Sequence, residues 1–458
     1  MALVSFYLFF LFSYMKHLAF LSTSSFHWLF LLVLLASQPA RAQWVAQPFS
    51  FDAPEVFAYR FGVVDANVLW ALGYDENMAN RSVALSTNGG QNWGLRSVSA
   101  LATSEALTSI SATSALNAWV STTDTLGGGR LLHTTDGGLS WTAPTAPVFG
   151  PHTPNFVHFF SANEGVAVGD PGTAPADTFA IFITRNGGLS WQPAASVPAA
   201  LPDENGVVLA PAVADGVIWF ATDEGRVFTS SDLGDTWLAV VSNTMPAEQY
   251  AVAFSDATHG IAVSVNNSRQ QYVHASSDGG LTWQFVRHSG QLRSAGIVGV
   301  PGAGLLISVG SGELGSYDVG SSYSGDNGLT WTDLEATRYH TGVAAHSRTA
   351  IWSGALQLSG NGLGVYRLGA TALASRPASR QALAAYPNPS ATGEFRLPLP
   401  AAPATVRLTD VLGREILRTA TTGGQTELPL NLRGYAPGLY VLTLTSPAGT
   451  ARQQLVIQ

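Results

Sequence analysis

Along most of the chain, short apolar runs rich in Val, Ile, Leu, Phe and Trp alternate with clusters of Gly, Ser, Thr, Asn and Asp. Runs of that length and composition form strands, and the clusters between them form turns. One cluster recurs. The octets Ser86 to Trp93, Thr134 to Trp141, Thr184 to Trp191, Ser230 to Trp237, Ser276 to Trp283 and Ser324 to Trp331 each open on Ser or Thr, carry Asp or Asn third and end in Trp. Their tryptophans lie 48, 50, 46, 46 and 48 residues apart. A near-constant period of this size, filled with short strands, predicts one four-stranded propeller blade per period.

The fourth period shows the internal order. It reads as strands over Gly206 to Pro211, Val217 to Ala221 and Arg226 to Thr229, then the octet, then a strand over Trp237 to Val241. Second strands comparable to Val217 to Ala221 occur at Val68 to Leu72, Ala118 to Ser121, Gly165 to Val168, Gly260 to Val263, Leu305 to Val309 and Ala350 to Ser353, which makes seven periods against six octets. The seventh ends after a third strand, Gly364 to Leu368, with no octet. Its missing fourth strand is expected at the other end, where Gln43 to Phe49 resembles the post-octet strands and Trp44 precedes Trp93 by 49 residues, in phase. Closure by that strand removes the open sheet edges of a linear array.

Within each octet the short polar side chains, Asn88, Asp136, Asn186, Asp232, Asp278 and Asp326 among them, are suited to hold a tight turn through backbone N–H groups, with glycine supplying positive φ. Trp93, Trp141, Trp191, Trp237, Trp283 and Trp331 then face the interior, each indole N–H within reach of a turn carbonyl. The competing reading makes the octet acids a calcium or sugar site. Repetition in every period, with neutral Asn in two copies, favours the structural role.

These octets resemble Asp-boxes, also called BNR repeats, with the pattern Ser/Thr-x-Asp-x-Gly-x-x-Trp. The resemblance covers about residues 43 to 368 and is closest to photosystem II stability/assembly factor-like and sortilin-like propellers. It implies that the boxes sit on the outer hairpin between third and fourth strands, away from the central channel, and that the protein is an interaction scaffold. The family also includes sialidases and xyloglucanases.

Composition narrows the chemistry. The chain has 458 residues, 11% of them charged, 47 glycines and no cysteine, so disulfides, thiolate metal sites and thiol catalysis are excluded. Its one lysine is Lys16, which leaves no Schiff-base candidate outside the leader. Residues 43 to 368 hold 12 Arg against 26 acidic residues, net −14, and residues 369 to 458 hold 8 Arg against 4, net +4. That asymmetry marks a boundary, and the acidic part argues against nucleic-acid partners. No cofactor is called for.

If the boxes take one face, a ligand site belongs on the opposite loops. Asp75, Asp124, Asp170, Asp223 and Asn266 each follow a second strand at nearly the same offset and form a candidate rim for a cation or sugar hydroxyls; turn chemistry is the plainer explanation. Asp170, Asp177, Asp203 and Glu204 are candidates for a glycosidase carboxylate pair. Tyr59-Arg60-Phe61-Gly62 resembles the sialidase Tyr/Phe-Arg-Ile-Pro signature but lacks its Ile-Pro. His152 and His158 have no metal partners at useful spacing.

Residues 1 to 42 read as a secretory signal peptide, with Met15-Lys16-His17 as n-region, His27 to Ala36 as apolar core and Ala40-Arg41-Ala42 before the cleavage point; translation is expected to start at Met15. Residues 369 to 384 read as a linker. Beyond it, strands are expected at Phe395 to Leu397, Val406 to Leu408, Glu415 to Leu417, Glu427 to Leu432, Leu439 to Leu444 and Gln454 to Ile457. Residues 385 to 458 resemble the C-terminal sorting domain of type IX secretion substrates, through Tyr386-Pro387-Asn388-Pro389, Asp410 with Gly413-Arg414, and Gly438 with Tyr440. That resemblance implies passage through the periplasm and export by the type IX machinery across the outer membrane of a Gram-negative bacterium, with secretion or surface attachment as the end point.

The expectation is therefore all-β: a seven-bladed β-propeller over residues 43 to 368, closed by an N-terminal strand, then a small Ig-like sandwich. The leading function is a non-catalytic surface or extracellular module for protein or glycan partners; the runner-up is a glycoside hydrolase, sialidase-like or xyloglucanase-like, or a lyase, acting on extracellular polysaccharide.

Overall fold

In the computed structural model, the described residues are 44–457 except 50, 52–55, 75–80, 125–127, 151, 173–176, 208–209, 242–248, 266–269, 313–317, 357–363, 370–384, 400–402, 411–413 and 447–448. The leader, the linker beyond Gly369, Asp75, Asn266 and Gly413 lie outside them. The chain divides into two compact units between Leu373 and Ala374.

Alternation of apolar with small or polar residues gives strands throughout; the described residues contain no α-helix. In the first unit they form seven sheets in chain order. Sheet I comprises Phe57–Val63, Leu69–Tyr74, Ser82–Ser86 and Gly94–Ser97; sheets III to VI repeat its four-stranded antiparallel meander, and sheet II has three strands with a single bridge from His133 to Thr142 in place of the fourth. Sheet II begins at Glu105–Ala112, III at Pro154–Phe159, IV at Ala212–Ala214, V at Gln249–Phe254 and VI at Gly296–Val300. Sheet VII takes Tyr339–Ser347, Ala350–Leu356 and Gly364–Leu368 from the end of the unit and Trp44–Gln47 from its start. Trp44 pairs with Leu368 and Gln47 with Val365, so the N-terminal strand occupies the predicted place.

The first strand of sheet IV departs from the expectation of Gly206 to Pro211. Gly206 pairs with Thr222, but the regular strand begins only where Ala212 pairs with Trp219. Six positions on one side oppose three on the other, and Pro211 has no N–H to carry the ladder across.

Burial is organised between sheets. Seven hydrophobic clusters each draw on two successive sheets, the last joining VII to I through Trp352, Val365, Leu69 and Ala84. Second-strand residues dominate, with Trp70, Trp219 and Trp352 each fully buried. Polar bonds follow the same seams. Ser109 and Ser111 of sheet II accept the N–H groups of Val157 and Phe159 in sheet III at 3.0 and 2.9 Å, and Thr341 of sheet VII donates to the Ala58 carbonyl of sheet I at 2.5 Å.

The second unit has its own core, including Phe395, Leu397, Val406, Leu408, Leu430, Leu442 and Leu455. Glu394–Pro398 pairs with Glu427–Asn431, and a four-stranded sheet runs in the order Glu415–Thr421, Ala404–Asp410, Gly438–Ser446, Gly449–Ile457.

Candidate functional site

The octets act as turn fasteners. In Ser276 to Trp283, Ser276 Oγ donates to Asp278 Oδ1 at 2.8 Å and accepts the Gly280 N–H at 2.8 Å. Asp278 Oδ1 accepts the Thr282 N–H at 2.9 Å and Oδ2 its hydroxyl at 2.6 Å. Copies at Asp136, Asp232 and Asp326 repeat both carboxylate bonds. Asn88 and Asn186 keep the backbone bond, accepting from the N–H groups of Asn92 and Ser190. These side chains are spent on the turn.

The octets also join neighbouring sheets. The Trp219 indole of sheet IV donates to Gly279 of the sheet V octet at 2.8 Å, and Trp352 of sheet VII donates to Gly89 of the sheet I octet at 3.3 Å. Trp119 of sheet II packs so tightly on the sheet III octet that a Cβ on Gly188, already at φ 84°, would stand 2.1 Å from its ring. Only glycine satisfies both demands. The octet tryptophans differ in their own bonding, and this follows the incoming residue only in part. Where it is Val166 or Ile261, Trp237 and Trp331 donate to Gly234 and Gly328 at 2.9 and 3.1 Å. Where it is Trp70, Trp119 or Trp219, the indole N–H of Trp141, Trp191 or Trp283 has no acceptor, which corrects the expectation of a turn carbonyl in every copy. Trp93 donates to Gly90 at 2.9 Å although the residue packed on its octet is Trp352.

The candidate rim is held by turn bonds wherever it is described. Asp124 Oδ1 accepts the Gly128 N–H at 3.0 Å. Asp223 takes the Asn205 N–H on Oδ1 at 2.8 Å and its side-chain amide on Oδ2 at 3.2 Å. Asp170 Oδ1 accepts the Asn155 amide and the Gly206 N–H, both at 2.8 Å, and so ties sheet III to sheet IV. Burial raises the Asp170 pKa and the Asp223 charge adds to this, against the two hydrogen bonds. Among the described rim acids, Asp170 thus feels the charge of Asp223. His152 Nδ1 lies 3.0 Å from the Asp170 carbonyl oxygen.

Of the other carboxylates, Asp177 accepts the Thr178 N–H at 2.9 Å and Asp203 sits at φ 60° in the turn before Asn205. Glu204 is sequestered: it is 2% exposed, ion-paired with Arg226 and bonded to the Thr222 hydroxyl at 2.6 Å. An equivalent motif, not evident in the sequence, joins Glu105 to Arg130 at 2.7 Å and to Thr122 at 3.2 Å in sheet II. In both copies the carboxylate also accepts a backbone N–H three residues upstream, from Ala102 and Leu201. The shared spacing of 17 to 18 residues between Glu and Thr was the available sequence signal. Among the described residues no cluster of three or more His, Asp or Glu side chains is arranged to hold a metal ion.

Arg60 and His158 lie elsewhere, on a channel of about 210 Å³ lined by the first strands or adjoining residues of sheets I, II, III, IV, VI and VII. The Arg60 guanidinium stands 4.0 Å above the Tyr59 ring and burial lowers its pKa.

In the second unit, Asn388 reaches the last strand, donating to the Gln454 carbonyl at 2.6 Å and accepting the Val456 N–H at 2.9 Å. The Tyr386-Pro387 and Asn388-Pro389 bonds are cis. Tyr386 donates to Glu427 at 2.7 Å, Arg414 pairs with Asp410 at 2.6 Å and Tyr440 donates to the Ala436 carbonyl at 2.8 Å.

Residues 384–458 match the family model of the secretion system C-terminal sorting domain, and residues 131–293 that of photosynthesis system II assembly factor YCF48. No curated protein matches the chain in sequence. Among solved structures, YCF48 bound to D1 peptide is similar at 15% identity and TM-score 0.51, over 72% of this chain and 97% of its own. YCF48 from Cyanidioschyzon merolae is 16% identical, with TM-score 0.48 over 72% of this chain and 98% of its own. The GH74 xyloglucanase from Xanthomonas campestris is 12% identical, with TM-score 0.38 over 87% of this chain and 72% of its own. The octets in register, the seven sheet junctions, the two family models and the fold shared with YCF48 bound to D1 peptide lead to one description: the chain is a β-propeller of BNR, or Asp-box, repeats joined to a type IX secretion C-terminal sorting domain.

Proposed function

We propose that this protein is an exported, non-catalytic seven-bladed propeller that presents its rim to a protein or glycan partner outside the cell. In this reading residues 1–42 are the leader, 43–368 the propeller, 369–384 the linker and 385–458 an Ig-like sorting module. The seven sheets, and the pairing of Trp44–Gln47 with Gly364–Leu368, support the blade count. The sorting-domain match supports delivery through the periplasm to the outer-membrane surface or the medium, with the type IX machinery as the transient partner. That YCF48 is seen bound to a peptide supports a binding role for a propeller of this kind.

The observation that carries the non-catalytic reading is the fate of the candidate carboxylates. Glu204 is closed in an ion pair, and Asp124 and Asp223 hold turns. A glycosidase needs two carboxyl groups facing one sugar, about 5 to 10 Å apart.

One feature favours the second reading, a glycoside hydrolase. Asp170, its pKa raised by burial and by the Asp223 charge, has the character of a general acid. A glycan array and a reducing-sugar release assay on the full chain separate the two. Binding without release supports the module; release that disappears in Asp170→Asn or Asp223→Asn establishes the hydrolase instead.

A further inference from the structure

We propose that the central channel is a binding site for a small carboxylate, held by Arg60 of sheet I and His158 of sheet III. Both residues line the channel, whose walls are otherwise largely apolar, with Phe61, Ala112, Val157 and Val343 among them. Among the described residues no Asp or Glu lines it. The interior therefore carries positive charge inside a propeller whose residues 43 to 368 are net −14, from 12 Arg and 26 acidic residues.

Arg60 is a permanent cation, 9% exposed, and its guanidinium interacts with the Tyr59 side chain through the ring and a hydrogen bond. A planar guanidinium in low-dielectric surroundings favours a carboxylate, which it engages through charge-assisted bonds. His158 supplies the second group. Its ring makes an edge contact with Phe160 at 4.8 Å, and among the described residues its nitrogens have no hydrogen-bond partner. The hydroxyls nearby are engaged already: Ser109 with Ser121 and the Val157 N–H, Ser111 with the Phe159 N–H. Two such groups, Arg60 and His158, on an apolar cavity of about 210 Å³ select a short ligand with one anionic end, and the apolar walls disfavour strongly hydrated ions such as sulfate.

Carboxylates of this size come from two sources, short-chain acids and single sugar acids, and the probes distinguish them. Butyrate, glucuronate and the neutral isostere butyramide are titrated into the full chain while the His158 ring resonances are followed. A bound anion beside the imidazole raises its pKa, so butyrate or glucuronate shifts the titration of His158 to higher pH, and butyramide binds about tenfold more weakly or worse. Preference for glucuronate over butyrate identifies the sugar acid as source, and the reverse preference the short-chain acid. Arg60→Gln removes the discrimination between acid and amide. Because a buried arginine also contributes to packing, the acid-against-amide comparison on the unaltered protein decides by itself. Equal effects of butyrate and butyramide, or no shift of His158 with either acid, overturn the proposal. The rim plays no part, so either result leaves the partner-binding reading standing.

Discussion

The Trp44 indole N–H donates to Ser321 Oγ at 2.8 Å, across 277 residues of sequence. Trp44 lies on the N-terminal strand of sheet VII and Ser321 on the third strand of sheet VI, so the bond ties the start of the propeller to its last two blades. Ser321 lies 3.5 Å from Glu335 Oε1, which is 3.0 Å from His340 Nε2, and His340 Nδ1 is 2.8 Å from Ser353 Oγ. The Ser, His and Glu order is that of a catalytic triad, but His340 and Ser353 have no exposed surface and Ser353 also donates to the Gly354 carbonyl. No substrate reaches it. The network is a clasp at the point where the ring closes.

Removing Gln43 to Phe49 is expected to lower the unfolding midpoint of the propeller strongly, because an entire strand and the Trp44 contribution to the core between sheets VI and VII go with it. Trp44→Ala alone is expected to cost about 3–5 kcal/mol, and Trp44→Phe less, since it keeps most of the packing and loses the bond to Ser321. Urea unfolding followed by tryptophan fluorescence measures both; an unchanged midpoint after the deletion contradicts closure by this strand.

The repeat was legible because its chemistry is local. An Asp that caps its own turn, followed by a buried Trp, leaves the same trace in every copy, and Trp44 could be placed by phase alone. Contacts between blades leave no such trace. That Trp219 ends on Gly279, or that Asp170 accepts the Gly206 N–H, depends on which blade stands beside which. The channel pair was unreadable for the same reason, as Arg60 and His158 are 98 residues apart and come to line one channel only through the arrangement of the blades. The first strand of sheet IV was misplaced because apolar composition cannot show which side of Pro211 carries the ladder.

The octet acids should register in acid. Hydrogen bonds from the Ser140 hydroxyl, the Ser140 N–H and the Thr134 hydroxyl hold Asp136 at about 2, below its ordinary 3.8. A carboxylate depressed on folding adds stability that is complete above its unfolded pKa and is lost as pH falls through the folded value. The contribution of Asp136 is thus expected to disappear between about pH 4 and pH 2. Asp136→Asn, which mimics the natural Asn88 and Asn186 copies, should retain the turn at neutral pH and lose this acid dependence. Asp136→Ala should lose both. Equal neutral-pH stability of the two variants would show that the turn does not need the acceptor.

The twin Glu-Arg motifs offer a matched pair. Arg226 and Glu204 side chains are 8% and 0% exposed, whereas Arg130 is 37% exposed against 8% for Glu105. Breaking a buried pair leaves an uncompensated charge, so Glu204→Gln is expected to cost about 3–5 kcal/mol. Water reaches Arg130, and Glu105→Gln should cost distinctly less. Denaturant unfolding of the two single variants tests the ranking, and a larger loss for Glu105→Gln would refute it.

His158 couples channel and stability. Burial pushes its pKa from 6.5 down to about 4, so the folded protein holds the neutral imidazole where the unfolded chain would take up a proton. A base depressed on folding confers stability that is present above its unfolded pKa and lost as pH falls through the folded value. Between about pH 6.5 and pH 4 the protein should therefore lose up to about 3 kcal/mol through this residue. His133, His274, His288 and His340 are depressed by burial as well, so the total slope belongs to several groups. The difference between the unaltered protein and His158→Gln isolates one. That variant is expected to show a flatter curve in this window and little change above pH 7. If a carboxylate occupies the channel, saturating butyrate should flatten the curve of the unaltered protein too, because an anion beside His158 relieves the cost of its charge, while leaving the His158→Gln curve as it was. Butyrate acting equally on both would place its effect outside the channel.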